Sequence, residues 1–305
     1  MSEPNPATGP TRSTPPNNTM KIYDARSAVE QRAVKESGRA LIYPPTEKIN
    51  IVEVANFPAL GKLAALRFLE WVLKNPGGVI SLPTGKTPEH FIKWVSRILE
   101  RWETKEIQSL LEGHGLEAGR PPDMKSLRFV QIDEFYPMDA AQHNSFHHYV
   151  SEFYIRGFGL SAHDALLINA TSLGLPAGKT MAEVFPEGIV DLTLRVRQTR
   201  TNLERLQRDV INRVDEFCME YESAIRAIGG IGFFLGGIGP DGHIAFNVRG
   251  SSVYSVTRLT GTNYETQAAA AEVVEHGDLL GHAQGIMPGQ DHRGGAEIYI
   301  RADRR

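Results

Sequence analysis

Cysteine is nearly missing from this sequence, which holds Cys218 as its single cysteine among 305 residues. One thiol cannot form an intrachain disulfide, and it excludes a zinc site made of four thiolates. Long apolar runs are missing too. No stretch approaches the roughly 20 apolar residues of a membrane-spanning helix, and the N-terminus lacks the apolar core of a secretory signal. These absences favour a reducing compartment, so the sequence predicts a cytoplasmic protein without a membrane partner.

An excess of charge of either sign is also missing. The 33 Lys and Arg residues are balanced by 36 Asp and Glu residues, which leaves a net charge of -3 at pH 7. This balance gives no electrostatic reason to expect a nucleic-acid partner. With 41% hydrophobic and 23% charged residues, the composition is typical of a soluble globular protein with a sizeable core.

The chain divides into a tail, a main domain and an atypical C-terminal end. Residues 1–20 are rich in Pro, Ser, Thr and Asn, which predicts a disordered tail. Residues 45–275 are predicted to form an α/β domain with a helical insertion at about 151–229. Residues 276–305 are glycine-rich with little apolar periodicity, so we expect a truncated or out-of-frame end and a sheet that lacks C-terminal units. Missing strands would expose a sheet edge that a homo-oligomer could cover.

Strands and helices alternate through the main domain. The predicted strands are continuous apolar runs, namely KINIVEV at 48–54, GVISL at 78–82, LRFVQI at 127–132 and IGFFL at 231–235. Such runs between helices are typical of a parallel sheet covered on both faces. The sequence therefore predicts an α/β fold with an open, mostly parallel, doubly wound, Rossmann-like sheet.

The insertion ends in an amphipathic helix. Apolar residues recur every three or four positions on its predicted face: Leu203, Leu206, Val210, Val214, Phe217, Tyr221, Ile225 and Ile228. This spacing favours packing on the sheet, with a coiled-coil partner surface as the alternative.

Three loops after predicted strands carry polar side chains. The first contains Thr84, Gly85, Lys86 and Thr87 before a helix, and it supplies N–H and O–H donors and a positive charge for an anion such as phosphate. Its single glycine does not match a P-loop, so a nucleotide triphosphate is not expected. The alternative is a plain turn in which Thr87 caps the helix.

The second loop places Asp133 and Glu134 directly after a buried strand. Burying two adjacent carboxylates costs free energy unless they face a solvated cleft or have hydrogen-bond partners. One hypothesis is therefore a general base, and the alternative is a hydrogen-bond acceptor in the loop or a helix cap. The third loop contains Asp241 two residues before His243, among the ligand-approach glycines Gly237, Gly239 and Gly242. The aspartate could orient the imidazole for acid/base work, while the alternative is a structural histidine in a turn.

Metal binding is not expected. His143 and His147 have the spacing of two ligands on one helical turn, but no acidic residue accompanies them in the manner of HExxH. We therefore predict a site without a metal ion.

The motifs closely resemble, in content and order, those of the glucosamine-6-phosphate deaminase family. They are LPTGKTP, then QIDEFYPM followed by SFHHY, then GGIGPDGHIAFN with Gly250-Ser251-Ser252 and Thr257-Arg258-Leu259 after it. The resemblance covers about residues 48–270. The related 6-phosphogluconolactonases share the layout and the Asp-Gly-His step, but they continue toward Thr-Ala-Ser, which this chain lacks. The deaminase branch is favoured.

The resemblance implies conversion of glucosamine 6-phosphate to fructose 6-phosphate and ammonia without a metal or organic cofactor. It makes Asp133 the base at C2, His243 the group that opens the sugar ring, and Asp241 its orienting partner. It gives the phosphate to Thr84, Gly85 and Thr87, with Lys86 adding charge. The other substrate-binding candidates are Gly237, Gly239, Gly242, Asn247 and Glu134, the last as a direct hydroxyl contact or an indirect support.

Two departures from the family pattern matter. Val248 follows Asn247 where the family carries a glutamate, which removes a carboxylate partner of His243 unless Glu134 or another acid substitutes. The family also continues beyond Ala270 through units that supply an arginine and a lysine to the phosphate. These departures keep open a non-catalytic sugar-phosphate binding protein, and 6-phosphogluconolactonase activity is a further alternative.

Overall fold

The structure, a computed structural model, describes residues 27–37, 51–117, 119–239, 242–262, 284–287 and 296–298. Its strands are β1 Val79–Ser81, β2 Arg128–Val130, β3 Glu134–Tyr136, β4 Ala165–Leu166, β5 Phe233–Leu235, β6 Arg258–Gly261, β7 Gln284–Met287 and β8 Ala296–Ile298. Its α-helices are α1 Ala28–Ser37, α2 Phe57–Lys74, α3 Glu89–Glu100, α4 Lys105–Gly113, α5 Phe146–Val150, α6 Met181–Val184 and α7 Asn202–Ala227. Short 3-10 turns lie at Met124–Ser126 and Leu192–Arg195, and a π-helical turn at Ser151–Arg156 continues α5.

Five strands form a parallel sheet in the order β4-β2-β1-β5-β8. A smaller antiparallel sheet has the order β3-β7-β6. Side chains of the parallel strands alternate between two cores, as the pleat requires. Ile80, Phe129 and Phe233 pack with α2, α3 and α4, whereas Val79 and Val130 pack with α7 on the other face. The predicted doubly wound α/β fold is confirmed.

The amino ends of β1 and β5 are closed by one tryptophan. Trp71 of α2 lies against Gly78 and Gly232, where an added Cβ would come within 2.4 Å and 2.8 Å of the indole ring. Only glycine leaves room for the ring at both positions, so this end of the sheet is packed tightly. The opposite, carboxyl end is the one that carries the polar loops.

Helix α7 packs on the sheet, as the amphipathic pattern favours. It begins with a capping box in which Thr201 and Glu204 bond each other's backbone N–H groups. Val210, Val214 and Ile225 are buried in the core of the second face. Leu203, predicted on the same face, is 39% exposed because it lies in the first turn.

One strand prediction needs correction, and one strand was not predicted. The run KINIVEV is no strand at residues 51–54, and its first three residues lie outside the described ranges. The segment 151–229 ends in helix α7, and it also contributes β4 to the parallel sheet beside β2. Both outcomes reflect pairing, since an extended segment becomes a strand only where a sheet edge accepts it.

The two ends of the chain fall mostly outside the described residues. All of 1–20 lies there, so the disordered tail stays a prediction. Of 276–305 the structure describes β7, which pairs with β3 and β6, and β8, which pairs with β5. These pairings place two strands in a region that the sequence predicted to lack sheet units, so that prediction needs correction at 284–287 and 296–298.

Candidate active site

Three polar loops leave the carboxyl ends of three adjacent strands. Strand β1 is central between β2 and β5, and Ile80 is in register with Phe129 on one side and Phe233 on the other. The Ser81 hydroxyl donates to the Val130 carbonyl at 2.7 Å, which ties two of the strand ends together. Because all three strands are parallel, their loops emerge at one edge of the sheet, where open α/β sheets bind ligands.

Asp133 lies in the loop after β2 and is 7% exposed. Burial of the carboxyl and then the nearby charge of Glu134 raise the pKa of Asp133 to about 8. No donor among the described residues reaches this carboxylate, whereas its backbone carbonyl accepts a 2.9 Å bond from the Gln131 amide. A carboxyl held in this way exchanges a proton near neutral pH, which is the property of a general base.

The backbone next to Asp133 is fixed by two buried polar groups. The Gln131 side chain also accepts a 2.9 Å bond from the Ile168 N–H, so it bridges the loop after β2 to the loop after β4. The Tyr221 hydroxyl of α7 lies 2.9 Å from the carbonyls of both Gln131 and Leu166. These bonds satisfy the backbone where the ladder ends and hold the acid in place.

Glu134 is fully buried and faces the start of α5. Its carboxylate accepts bonds from the Ser145 hydroxyl at 2.8 Å and from three backbone N–H groups, those of His147, Phe146 and Phe135, at 2.7, 3.1 and 2.9 Å. Burial raises the pKa of Glu134, and these four bonds oppose the shift. The protein itself uses this carboxylate, and the predicted contact of Glu134 with the substrate stays a prediction. Glu134 is not the substitute partner for His243.

The loop between β1 and α3 carries the predicted anion-binding residues. Gly85 has a φ of +88°, a left-handed conformation that favours glycine. Thr84 is half-buried, and Lys86 and Thr87 are exposed. Thr87 does not cap α3 as the alternative required, because the N-cap position is Pro88, which makes no side-chain cap bond. The first N–H groups of α3 therefore lack a side-chain cap among the described residues, as a helix that receives an anion requires.

The glycine-rich loop after β5 holds His243 against its own backbone. The Gly239 N–H donates to the His243 carbonyl at 2.8 Å. A Cβ at position 239 would lie 2.0 Å from the imidazole Cε1, so a glycine there lets the ring lie flat on the loop. Gly242 has a φ of +86° at the turn just before the histidine. Asp241, the predicted orienting partner, lies outside the described residues.

Space in front of these loops is open. An added Cβ at Gly85, Gly237 or Gly242 would meet no atom of the described residues within 4 Å. At Gly237, which lacks a positive φ, neither packing nor backbone conformation in the described part requires glycine. Open space over glycines on two neighbouring loops is what close approach of a ligand needs.

Asn247 has a protein partner. Its side-chain oxygen accepts a 2.8 Å bond from the Arg258 guanidinium on β6. Burial lowers the pKa of Arg258. The amide nitrogen of Asn247 is not part of this bond and is the atom that would donate to a substrate. The predicted binding role of Asn247 stays a prediction.

An aromatic trio joins the segments that contain Asp133 and His243. Phe135 follows Asp133 by two residues, and its ring centroid lies 4.9 Å from Phe246, which follows His243 by three. Phe146 of α5 completes the trio at 5.1 Å from Phe135 and 6.0 Å from Phe246. Such contacts are worth about 0.5–1.5 kcal/mol each beyond burial. They bring the acid loop and the imidazole loop together from distant parts of the chain.

Sequence reasoning missed several residues that support the site. Gln131, Ser145 and Phe146 contact its loops, but nothing in their spacing distinguishes them from ordinary core and capping residues. Over the described ranges, no group of three or more His, Cys, Asp and Glu residues could hold a metal ion. In the same part of the chain, no helix combines the length and apolarity needed to cross a membrane.

Local sequence matches relate the chain to glucosamine-6-phosphate deaminases. The deaminase of Borrelia hermsii (strain HS1 / DAH) is 47% identical over 77 residues, which are 25% of this chain and 28% of that protein. The deaminase of Caenorhabditis elegans is 57% identical over 54 residues, 18% of this chain and 20% of that protein. The matches thus span between a fifth and little more than a quarter of these relatives' length. No family model matches the chain.

A solved structure of a monomeric glucosamine-6-phosphate deaminase superposes with a TM-score of 0.54 at 19% identity. The superposition covers 79% of this chain and 76% of that one. At this identity the likeness bears on the fold alone. Together with the local matches, it confirms the resemblance that the motifs indicated.

Proposed function

We propose that this protein is an amino-sugar-phosphate deaminase that converts glucosamine 6-phosphate to fructose 6-phosphate and ammonia. One observation carries the proposal. The anion loop, the buried acid and the histidine follow the three adjacent strands β1, β2 and β5 at one edge of the sheet. The local identity to named deaminases supports this choice of reaction.

The anion loop supplies the phosphate site in this scheme. Thr84 and Thr87 offer hydroxyl donors, and the start of α3 offers backbone donors at the positive end of the helix dipole. Lys86 adds a positive charge. A phosphate held here by several weak contacts would orient the sugar, so that its reacting carbons lie over the loops after β2 and β5.

Proton transfers fall to the other two loops. His243 would protonate the ring oxygen to open the sugar, since an imidazole both gives and takes protons near neutral pH. Asp133 would then move the C2 proton to C1 while a proton passes from the amino nitrogen to the C1 oxygen, so that the amino aldose becomes an imine at C2. The Asp133 pKa of about 8 makes the protonated state of this base accessible between the two transfers. Water attacks the resulting C2 imine, and ammonia leaves.

The departure at Val248 favours one competing function, a sugar-phosphate binding protein without turnover. Glu134 cannot replace the missing glutamate, because its four hydrogen bonds hold it against α5. The two functions differ in turnover alone and share the same ligand.

The test incubates the protein with glucosamine 6-phosphate and measures ammonia and fructose 6-phosphate separately. We expect both products in equal amounts, and we expect Asp133→Asn to abolish them while leaving ligand binding largely intact. The matched control is Asp123→Asn, because Asp123 is exposed and caps a 3-10 turn before β2, at the far end of that strand.

Each outcome selects one function. Ligand-induced thermal stabilisation without either product identifies the binding protein. Hydrolysis of 6-phosphogluconolactone, with no ammonia released from the amino sugar, identifies the lactonase. A wild-type protein that neither turns over nor is stabilised by millimolar ligand contradicts the proposal.

A further inference from the structure

Two tyrosines hold the anion loop from behind. The Tyr149 hydroxyl donates to the Gly85 carbonyl at 2.9 Å. The Tyr154 hydroxyl donates to the Pro83 carbonyl. The two acceptors are two residues apart in the loop between β1 and α3, and the two ring centroids are 6.0 Å apart with planes at 68°. Both phenols therefore reach the same short loop from one helical segment.

A π-helical turn makes this possible. Tyr149 lies in α5, and Tyr154 lies in the π turn Ser151–Arg156, where the Gly157 N–H bonds the Glu152 carbonyl five residues back at 3.0 Å. In an α-helix, residues five apart diverge by about 140° around the axis. With i to i+5 bonding they return to one side, and π turns of this kind are frequent at functional sites.

The bonds set the direction of the loop's own donors. In a trans peptide the carbonyl of one residue and the N–H of the next point in opposite directions. Since the carbonyls of Pro83 and Gly85 point to the phenols, the N–H groups of Thr84 and Lys86 point to the opposite side of the loop. The left-handed Gly85 permits this arrangement.

We propose that Tyr149 and Tyr154 are positioning residues that turn the backbone donors of the anion loop toward the bound phosphate. This role deepens the proposed function, on which the identity of the phosphate ligand rests. Both hydroxyls donate to backbone carbonyls of the loop, so the pair acts through the loop. Burial raises the pKa of both phenols, so they remain protonated donors at neutral pH.

The test replaces each tyrosine by phenylalanine, which keeps the buried ring and removes the hydroxyl. Tyr136→Phe is the matched control, because the Tyr136 hydroxyl also donates to a backbone carbonyl, that of Leu173 at 2.8 Å, away from the anion loop. Two readouts are needed. Amide hydrogen exchange at a fixed millimolar concentration of inorganic phosphate reports on residues 84–86, and steady-state kinetics give KM and kcat for glucosamine 6-phosphate.

We expect faster exchange at residues 84–86 in both loop variants. We also expect KM to rise about fivefold per lost bond while kcat changes less than twofold, with neither effect in the control. Unchanged exchange in both variants overturns the inference, whatever the wild-type activity. If the wild type turns over nothing, the proposed function fails by itself, and the exchange arm with inorganic phosphate affinity still decides the role of the tyrosines.

Discussion

Replacing Asp133 by asparagine should stabilise the protein at high pH while destroying its chemistry. The pKa of this carboxyl is about 8 in the folded chain against 3.8 for an ordinary aspartate. Between these values the folded protein keeps a proton that the unfolded chain has released. Its contribution to stability is therefore complete at low pH and is lost as the pH rises toward 8. The unfolding free energy should fall by up to about 1.4 kcal/mol per pH unit in this window.

Asparagine cannot ionise, so the variant lacks this slope. Urea unfolding of both proteins at about pH 5.5, 6.5 and 7.5 gives the unfolding free energies directly. We expect the difference between variant and wild type to grow in favour of the variant by about 1 kcal/mol per pH unit. Asp123→Asn should run parallel to the wild type, because that side chain is exposed.

The activity should also depend on the protonation of Asp133, but it should rise with pH where the unfolding free energy falls. The base is the carboxylate, roughly a tenth of which is formed one unit below its pKa. The wild-type kcat/KM should therefore rise about tenfold between pH 7 and 9 with its midpoint near 8. Parallel stability curves for Asp133→Asn and the wild type would refute the buried, proton-holding acid, and a midpoint near 4 would refute its role as base.

Two further substitutions test the supports of the site. Gly239→Ala should lower kcat/KM by about a hundredfold, because its Cβ would lie 2.0 Å from the His243 ring; steady-state kinetics check this, and Gly237→Ala, which meets no atom within 4 Å, should keep its fold and show a smaller loss. Ser145→Ala should cost about 1–2 kcal/mol of unfolding free energy by removing both a helix cap and a donor to Glu134. An unchanged urea midpoint for that variant would contradict the capping role.

The sheet was largely predictable because its central strands carry local signals. The runs around Ile80, Phe129 and Phe233 are continuous and apolar, and buried parallel strands need this pattern. KINIVEV carries a similar signal yet forms no strand at 51–54, whereas β4 and β8 take the places beside β2 and β5. Which segment pairs with the edge of the sheet depends on the whole chain, and a short stretch of sequence does not contain that information.

The sequence predicts which three loops form the site, but it does not predict the contacts between their residues. The strand-end rule places Asp133 and His243 at one sheet edge from the sequence alone. The role of Glu134 depends on Ser145 and on two backbone groups that follow it, a pairing across eleven positions that has no sequence signature. The π turn behind the anion loop is equally hidden, because a segment of six residues is too short to show a period of its own in the sequence.

Direct contacts among Phe135, Phe146 and Phe246 hold two parts of the site together. Their relative position therefore does not depend on the length of the chain between them. Since the acid and imidazole segments are fastened to each other directly, insertions or deletions in the intervening stretch need not move them relative to one another. The entropic cost of a longer connection grows only slowly with its length. Evolution can therefore remodel the surface over α6 and the neighbouring turns, for regulation or for new partners, while the spacing between the Asp133 and His243 segments is inherited unchanged.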